Sequence, residues 1–547
     1  MRLYRILISV FLLFNIANIN AQESHDFEIS KNLDIYTSLI QQLDLHYVDE
    51  IQPGTMTKTA IDAMLKHLDP YTNYYPESMI EDVRFLQTGK YGGIGSTMHI
   101  KNGNIVVGMT YPGFPFNEAG LRAGDIILKI DDEDVFGKKM REISEHLKGA
   151  SGTSLKVVYK SAKDANEKTV SLKREEIVVK DVPYFTMLDD SIAYVKLVGF
   201  KQNAAKEVKL AIDSLSKTNV INSVVLDLRN NGGGLLIQAV NILDLFVDAG
   251  ELIVSTKGKT KKENYSYKTR HHANYPDMKV VVLVNKNSAS ASEIVAGSFQ
   301  DLDRGVIMGQ KSFGKGLVQK VFPLSYRSQV KITVAKYYIP SGRCIQSLDY
   351  IHKDASGKAV KTPDSLMATF KTKGGRLVKD AGGIIPDLKL ETKNSSDIVS
   401  SLMRNYEIFD FATKYVYSHD TIRDIKKFEI NDELYSEFVN FVNADSFNFT
   451  LPIEIELDKL RSFSDKKNYD ITDELDALEK KIEVSKKSIY DDNKEILKPL
   501  IKEELVSRYF FNSGRVEAML QYDSEVREAI KLLINENRYY KILHNNN

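Results

Sequence analysis

The stretch "NKNSASASEIVAG", residues 285–297, sets Ser288, Ser290 and Ser292 at alternate positions. A serine hydroxyl attacks an acyl carbon only when a neighbouring group takes its proton. His271 and His272 precede the serines, but they lie in the polar run "KTRHHANYP", with no apolar strand to fix them, and read as exposed loop residues. A lysine serves as the base if it is neutral. Free lysine titrates near ~10.4, and burial away from carboxylates lowers that by several units. Lys315 in "GQKSFGKG" suits the role, flanked by Phe313, Gly314, Gly316 and Leu317 with no acid close by in sequence. On an extended strand alternate side chains share a face. Lys315, Leu317 and Gln319 would then line up, and Gln319 would orient the amine as the third partner of a triad does.

Rival chemistries fail on context. Residues 309–316 supply G-x-x-x-x-G-K, but Gly316 stands where a phosphate loop needs Ser or Thr, and the β-prone "LVQKVFPL" follows where a helix should. There is no H-E-x-x-H and no G-x-S-x-G. The lone Cys344 excludes an internal disulfide and cysteine-rich zinc sites. Lys+Arg (74) cancel Asp+Glu (74), which removes the electrostatic reason to expect nucleic acid. Neither a metal nor a small-molecule cofactor is expected.

The elements that must hold these residues follow from periodicity. Residues 178–395 alternate near-continuous apolar strands with helices, the pattern of an α/β core. The strand 280–284 ends at Asn285 and a helix begins near Ala291 or Ser292, so Ser290 sits on the turn. There the Ala291 N–H and the positive helix end favour a developing oxyanion. Ser292 reads as a cap or first-turn residue. In the bland alternative all three serines are caps and turn formers. "LDLRNNGGG" carries a strand into Gly232, Gly233 and Gly234, whose N–H groups can approach a ligand, unless they only make a tight turn. Before the core, residues 28–87 read as helical, and about 89–176 as a small β-rich module with a hairpin at "NGN", 102–104. Beyond 396 the chain is charge-rich and helical, a solvated face with a packing or docking role and no chemistry.

Taken in order, "AIDAMLKHLDPYTNYY", "YGGIGSTM", "AGLRAGDIILKIDD", "VVLDLRNNGGGLL", "VNKNSASASEIVAG", "GQKSFGKGLVQ" and "KYYIPSGRCIQ" resemble the carboxy-terminal processing (tail-specific) proteases, Ser–Lys peptidases carrying a PDZ domain. The resemblance covers roughly residues 35–390. It implies a multidomain α+β protein with a ClpP/crotonase-like α/β core, an inserted β-rich PDZ domain and helical ends. The division it suggests is 1–21 signal peptide, 22–87 helical region, 88–177 PDZ, 178–395 peptidase core and 396–547 charged helical extension. It implies Ser290 as nucleophile, Lys315 as general base, Gln319 as its orienting partner, and Gly233 and Ala291 as oxyanion donors. Gly93, Ile94 and Gly95 would bind the free, apolar C-terminus of a polypeptide substrate by strand addition and carboxylate capture. The rival class is a PDZ scaffold or chaperone of the cell envelope that binds tails without cutting them.

The first residues carry Arg2 and Arg5, an apolar run from Ile6 to Phe14 and a small Ala21, the pattern of a secretory signal peptide. An exported periplasmic or envelope protein is expected, with a retained N-terminal anchor as the alternative. A homo-oligomer or an adaptor protein is the further partner left open.

Overall fold

The alternation of strands and helices beyond residue 178 is realised as a six-stranded sheet. The structure, a computed structural model, describes residues 25–354, 357–391, 396–419, 421–444, 450–467 and 469–544; the expected signal segment lies outside them. No helix among the described residues is long and apolar enough to cross a membrane. The chain divides into two compact units, one reaching to Pro76 and including Val321–Ile332, the other made of Glu77–Lys320 and the chain from Thr333 onward. The first holds helices at 25–46 and Pro53–Lys66, and a strand, Asn73–Tyr75, antiparallel to residues 329–331.

The second unit contains the central sheet, ordered Tyr184–Asp189, Ile192–Lys196, Ser223–Asp227, Lys279–Val284, Val306–Gly309 and Leu388–Lys389. The first pair is antiparallel and the rest are parallel. The parallel strands therefore deliver their C-terminal ends, at Lys196, Asp227, Val284 and Gly309, to one edge. "KVVVLV" at 279–284 is apolar at successive positions, so both of its faces need cover. Helices Ala204–Ser216, Leu236–Leu243 and Ala291–Asp301 cover one face, packing on Val224, Leu226, Val280, Val282 and Val284.

The opposite face is covered from the far end of the chain. Helices Ser524–Ile534 and Glu536–Leu543 bring Val526, Leu532, Leu533 and Tyr539 against Tyr194, Val225, Val281, Leu283 and Met308. Here the packing role expected of the charge-rich extension takes a definite form. The charged stripe is real, but the apolar stripe beneath it is the second cover of the sheet. The remaining C-terminal helices build their own core, around Phe411, Phe438, Leu497 and Leu505.

The β-rich module has strands in the order Ser96–Lys101, Asn104–Thr110, Ile126–Ile130, Ser154–Lys160 and Glu167–Lys173, with helix Met140–Leu147. "NGN" makes the tight hairpin, with Asn102 and Gly103 both at positive φ (52° and 78°). Ser96–Lys101 stands at the sheet's edge.

Leu532 is fully buried under the sheet. Leu532→Ala should lower stability by about 2–5 kcal/mol, as for other buried leucines, read as a shifted urea transition of the peptidase core. An unmoved transition would mean that the last helices are dispensable to that core.

Candidate active site

At the sheet's C-terminal edge the three serines separate in role. Ser288 is buried, and its Oγ donates to Leu228 O at 2.9 Å. Ser292 is buried, and its Oγ donates to Asn231 O at 2.8 Å. Both fasten the serine turn to the loop that follows strand Ser223–Asp227. Ser290 is half-buried. It is the N-cap of helix Ala291–Asp301, with φ 58° and ψ −114°. That backbone is strained for a residue with a Cβ, at a cost of about 1–3 kcal/mol that its surroundings must offset.

Glu293 supplies much of the compensation. Ser290-x-x-Glu293 is a capping-box sequence, and the Ser290 N–H donates to Glu293 Oε2 at 2.9 Å. The same oxygen accepts the Lys315 N–H at 2.9 Å, while Oε1 accepts from Ser312 Oγ (2.5 Å) and the Gly314 N–H (2.7 Å). A carboxylate has about four acceptor positions, and here all are used. Complete burial pushes the Glu293 carboxyl above its usual range, although these donors act the other way. Gly314 lies at φ 90°, and a Cβ there would meet Ser347 at 2.6 Å. Only glycine fits the turn that presents its N–H to Glu293.

A second group spans the same two residues. Tyr337 is buried, and its hydroxyl is 3.1 Å from Ser290 O and 2.7 Å from Lys315 O, with one hydrogen to share between them. Ser290 and Lys315 thus share an acceptor through their N–H groups and a donor through their carbonyls. The structure brings these two sequence-predicted residues together at the backbone.

Other expectations need correction. Lys315 precedes the strand Leu317–Pro323 and does not lie on it, because the turn to Glu293 bends the chain there. Its surroundings are not free of acid: Glu293 is distant in sequence but bound to its main chain. Gln319 lies on the strand, and its Nε2 donates to Thr333 Oγ1 at 3.2 Å. His271 and His272 are exposed, as expected.

Gly233 (φ 96°) packs so closely on the serine turn that a Cβ would lie 2.6 Å from Ala289 O and 2.9 Å from Ala291 N. Its N–H donates to Asn231 Oδ1 at 2.9 Å. Asn231 is buried and accepts the Ala289 N–H on its carbonyl at 3.0 Å. Ala291, at the first position of its helix, has an N–H with no intrahelical partner to serve.

An ion cluster underlies the glycine loop. Arg229 donates to Asp227, Asp523 and Glu525 at 2.6–3.1 Å. Asp227 is fully buried and also takes Tyr194 Oη (2.7 Å) and Lys196 Nζ (3.0 Å). Burial opposes its charge, but Arg229 and Lys196 outweigh that and hold the Asp227 carboxyl well below the usual range. Asp523 is at the same time the N-cap of helix Ser524–Ile534, so the C-terminal helices are tied to the loop beside the serine turn.

In the β-rich module, Gly93, Ile94 and Gly95 run from the end of one strand to the start of the edge strand. They adjoin a groove of about 130 Å³ between that strand and helix Met140–Leu147, lined by Ile94, Met98, Met140, Ile143 and Leu147.

Comparison with known proteins gives the family of the chain. Residues 191–355 match Peptidase family S41, residues 107–160 a PDZ domain, and residues 398–533 the C-terminal helical domain of probable PDZ-proteases. The chain is 33% identical to a carboxy-terminal-processing protease of Bartonella bacilliformis over 321 residues, 58% of this chain and 73% of the relative. It is 33% identical to a probable CtpA-like serine protease of Staphylococcus epidermidis over 353 residues, 64% of this chain and 68% of the relative. The solved photosystem II D1 C-terminal processing protease is 28% identical, with 64% of this chain and 91% of that one covered, at a TM-score of 0.34. Peptidase and PDZ matches together define a serine peptidase with a PDZ domain. The chain belongs to the carboxy-terminal processing protease family.

Glu293 and Tyr337 were not singled out in the sequence. The capping box was a usable signal for the first; a buried tyrosine's need of a polar partner was the second's, but only once its strand was known. Glu293→Gln puts an amide NH₂ against a set made wholly of donors. It should lower kcat roughly a hundredfold, the scale of a misplaced catalytic group, with tail affinity unchanged. Because burial raises the Glu293 carboxyl, acidification should protonate it above the ordinary ~4.3 of glutamate and shut activity off there. Wild-type kcat for Glu293→Gln would remove the organising role from this carboxylate.

Proposed function

We propose that Ser290 is the nucleophile and Lys315 its general base. The reading is carried by their shared tethering to Glu293 and Tyr337. Ser290 Oγ attacks the scissile carbonyl carbon and its proton passes to Lys315 Nζ. The oxyanion is met by the Ala291 N–H and, once released from Asn231, by the Gly233 N–H. Collapse expels the amine, which takes the proton from Lys315 and leaves an ester on Ser290. Lys315 then draws a proton from water, which attacks the ester and frees the new C-terminus. Gln319 acts on the base by reorienting from Thr333.

The PDZ domain selects the substrate. The free edge of Ser96–Lys101 supports addition of an extended tail, the N–H groups of Gly93, Ile94 and Gly95 suit its carboxylate, and the apolar groove suits its last side chain. The substrates are polypeptides ending in a free apolar C-terminus, delivered to a ClpP/crotonase-like core. The division at 88–177, 178–395 and 396–547 serves this reading, with residues 523–543 counted to the core they cover. The enzyme acts after export, in the periplasm or envelope. A second copy or an adaptor is its further partner, supported by Phe27, Leu33 and Leu45 exposed around helix 25–46.

Ser290→Ala and Lys315→Ala should each reduce cleavage of a tailed protein by at least about a thousandfold, and the double variant little further, since the groups act as a unit. A fluorophosphonate should label Ser290 and neither Ser288 nor Ser292. Activity should rise with pH as the base loses its proton, and Lys315→Arg should be inactive because its guanidinium stays charged. Labelling at Ser288 or Ser292, or an active Lys315→Arg, would sink the assignment. Amidating the tail, or ending it in Asp, should raise KM for a tailed protein far more than for a short peptide. Equal rates for native, amidated and Asp-ended tails would remove the PDZ domain from recognition.

A further inference from the structure

A cavity of about 530 Å³ lies between the PDZ domain and the C-terminal helices, and none of its lining residues belongs to the peptidase core. That volume is typical of a small-molecule site. Arg122 and Lys163 line it from the PDZ domain and Arg508 from the helices, and none of the described lining residues is acidic.

Arg508 is the unusual member, with a side chain only 6% exposed. Its guanidinium lies over the Phe409 ring at 4.1 Å, and Nη2 donates to Phe409 O at 2.8 Å. Nη2 also lies 3.2 Å from Glu504, but that carboxylate is shared with Arg515 at 2.6 Å. Among the described residues the hydrogens on Nε and Nη1 have no acceptor. Burial pushes its pKa down to about 10, against the pull of Glu504. A buried cation with unused donors is costly unless an opposite charge completes it. Polar groups that suit an oxyanion surround it. Tyr417 is held protonated, its pKa raised to about 12 by burial, and the Thr110 hydroxyl accepts from Asn117 at 3.1 Å, leaving its own hydrogen for a ligand.

We propose that this cavity binds a small anionic molecule, bearing carboxylate or phosphate groups, that bridges the PDZ domain and the C-terminal helices. The cavity exceeds the needs of a single inorganic oxyanion, so a ligand with several anionic groups spread over a carbon frame fits best. The shared chemistry is that of the oxyanion, offered to two guanidiniums and an ammonium.

The test is calorimetric titration of the full chain with citrate and, separately, with inorganic phosphate, each against sodium chloride at matched ionic strength. Saturable binding of at least one probe is expected, with none for chloride. Arg122→Gln with Lys163→Ala, both at exposed positions, should weaken it at least about tenfold, the scale of one lost charge-assisted hydrogen bond. Arg508→Met, which keeps the apolar stem, should abolish it. If Arg508→Met does not fold, the exposed pair decides alone. The proposal is overturned if neither probe binds saturably, or if binding survives the exposed-pair variant undiminished.

Discussion

Ser290, Ser312, Gly314 and Lys315 all donate to Glu293. Burying a carboxylate costs several kcal/mol unless every acceptor position is met, and this set meets them all. The interaction therefore works as a unit: lose one donor and a buried charge is left short. It also sits in the first turn of helix Ala291–Asp301, where the dipole favours a negative group. The strained backbone of Ser290 is held from one side by this carboxylate and from the other by Tyr337.

The same logic explains why residues far down the chain belong to the core. A parallel sheet whose strands are apolar on both faces is incomplete with helices on one. Ser524–Ile534 and Glu536–Leu543 supply the missing layer. Arg229 makes that layer more than a cover. Its partners Asp523 and Glu525 open the first covering helix, and Arg229 itself stands just ahead of Asn230, Asn231 and the glycines. Surface ion pairs contribute little, but Asp227 is fully buried, and a buried set of this kind is strongly destabilised by loss of one partner. The loop beside Ser290 thus depends on helices nearly three hundred residues away in sequence.

What could be read in the sequence was local. The alternating serines, the turn before Ala291, the "NGN" hairpin and the parallel-strand pattern each follow from periodicity or turn chemistry within a few residues. The turn before the helix also set Ser290 apart from Ser292, read as a cap or first-turn residue, while the nucleophile's role came from the family resemblance. What escaped was long-range. Lys315 looked free of acids because Glu293 is distant along the chain and arrives only through the fold. The line-up of Lys315 with Gln319 assumed an extended strand, whereas Gly314 turns the chain to reach Glu293. The C-terminal region reads as a packing or docking segment, but the sheet face that its apolar stripe covers lies far away in the chain and is not legible there.

Asn231 shows how these pieces bear on the oxyanion. It is buried, its Nδ2 donates to Leu197 O at 2.8 Å, and its carbonyl accepts both the Ala289 N–H and Ser292 Oγ. It therefore fixes the glycine loop and the serine turn to each other, and its Oδ1 is left to accept the Gly233 N–H. An oxyanion competing for that N–H offers a full negative charge where Asn231 offers a neutral amide oxygen, and charge-assisted bonds are roughly twice as strong. In the proposed mechanism, with Gly233 as an oxyanion donor, that exchange would favour the tetrahedral intermediate over a ground-state carbonyl, whose oxygen carries no such charge. A donor held by a weak internal partner then discriminates between ground state and transition state, the distinction on which rate acceleration rests.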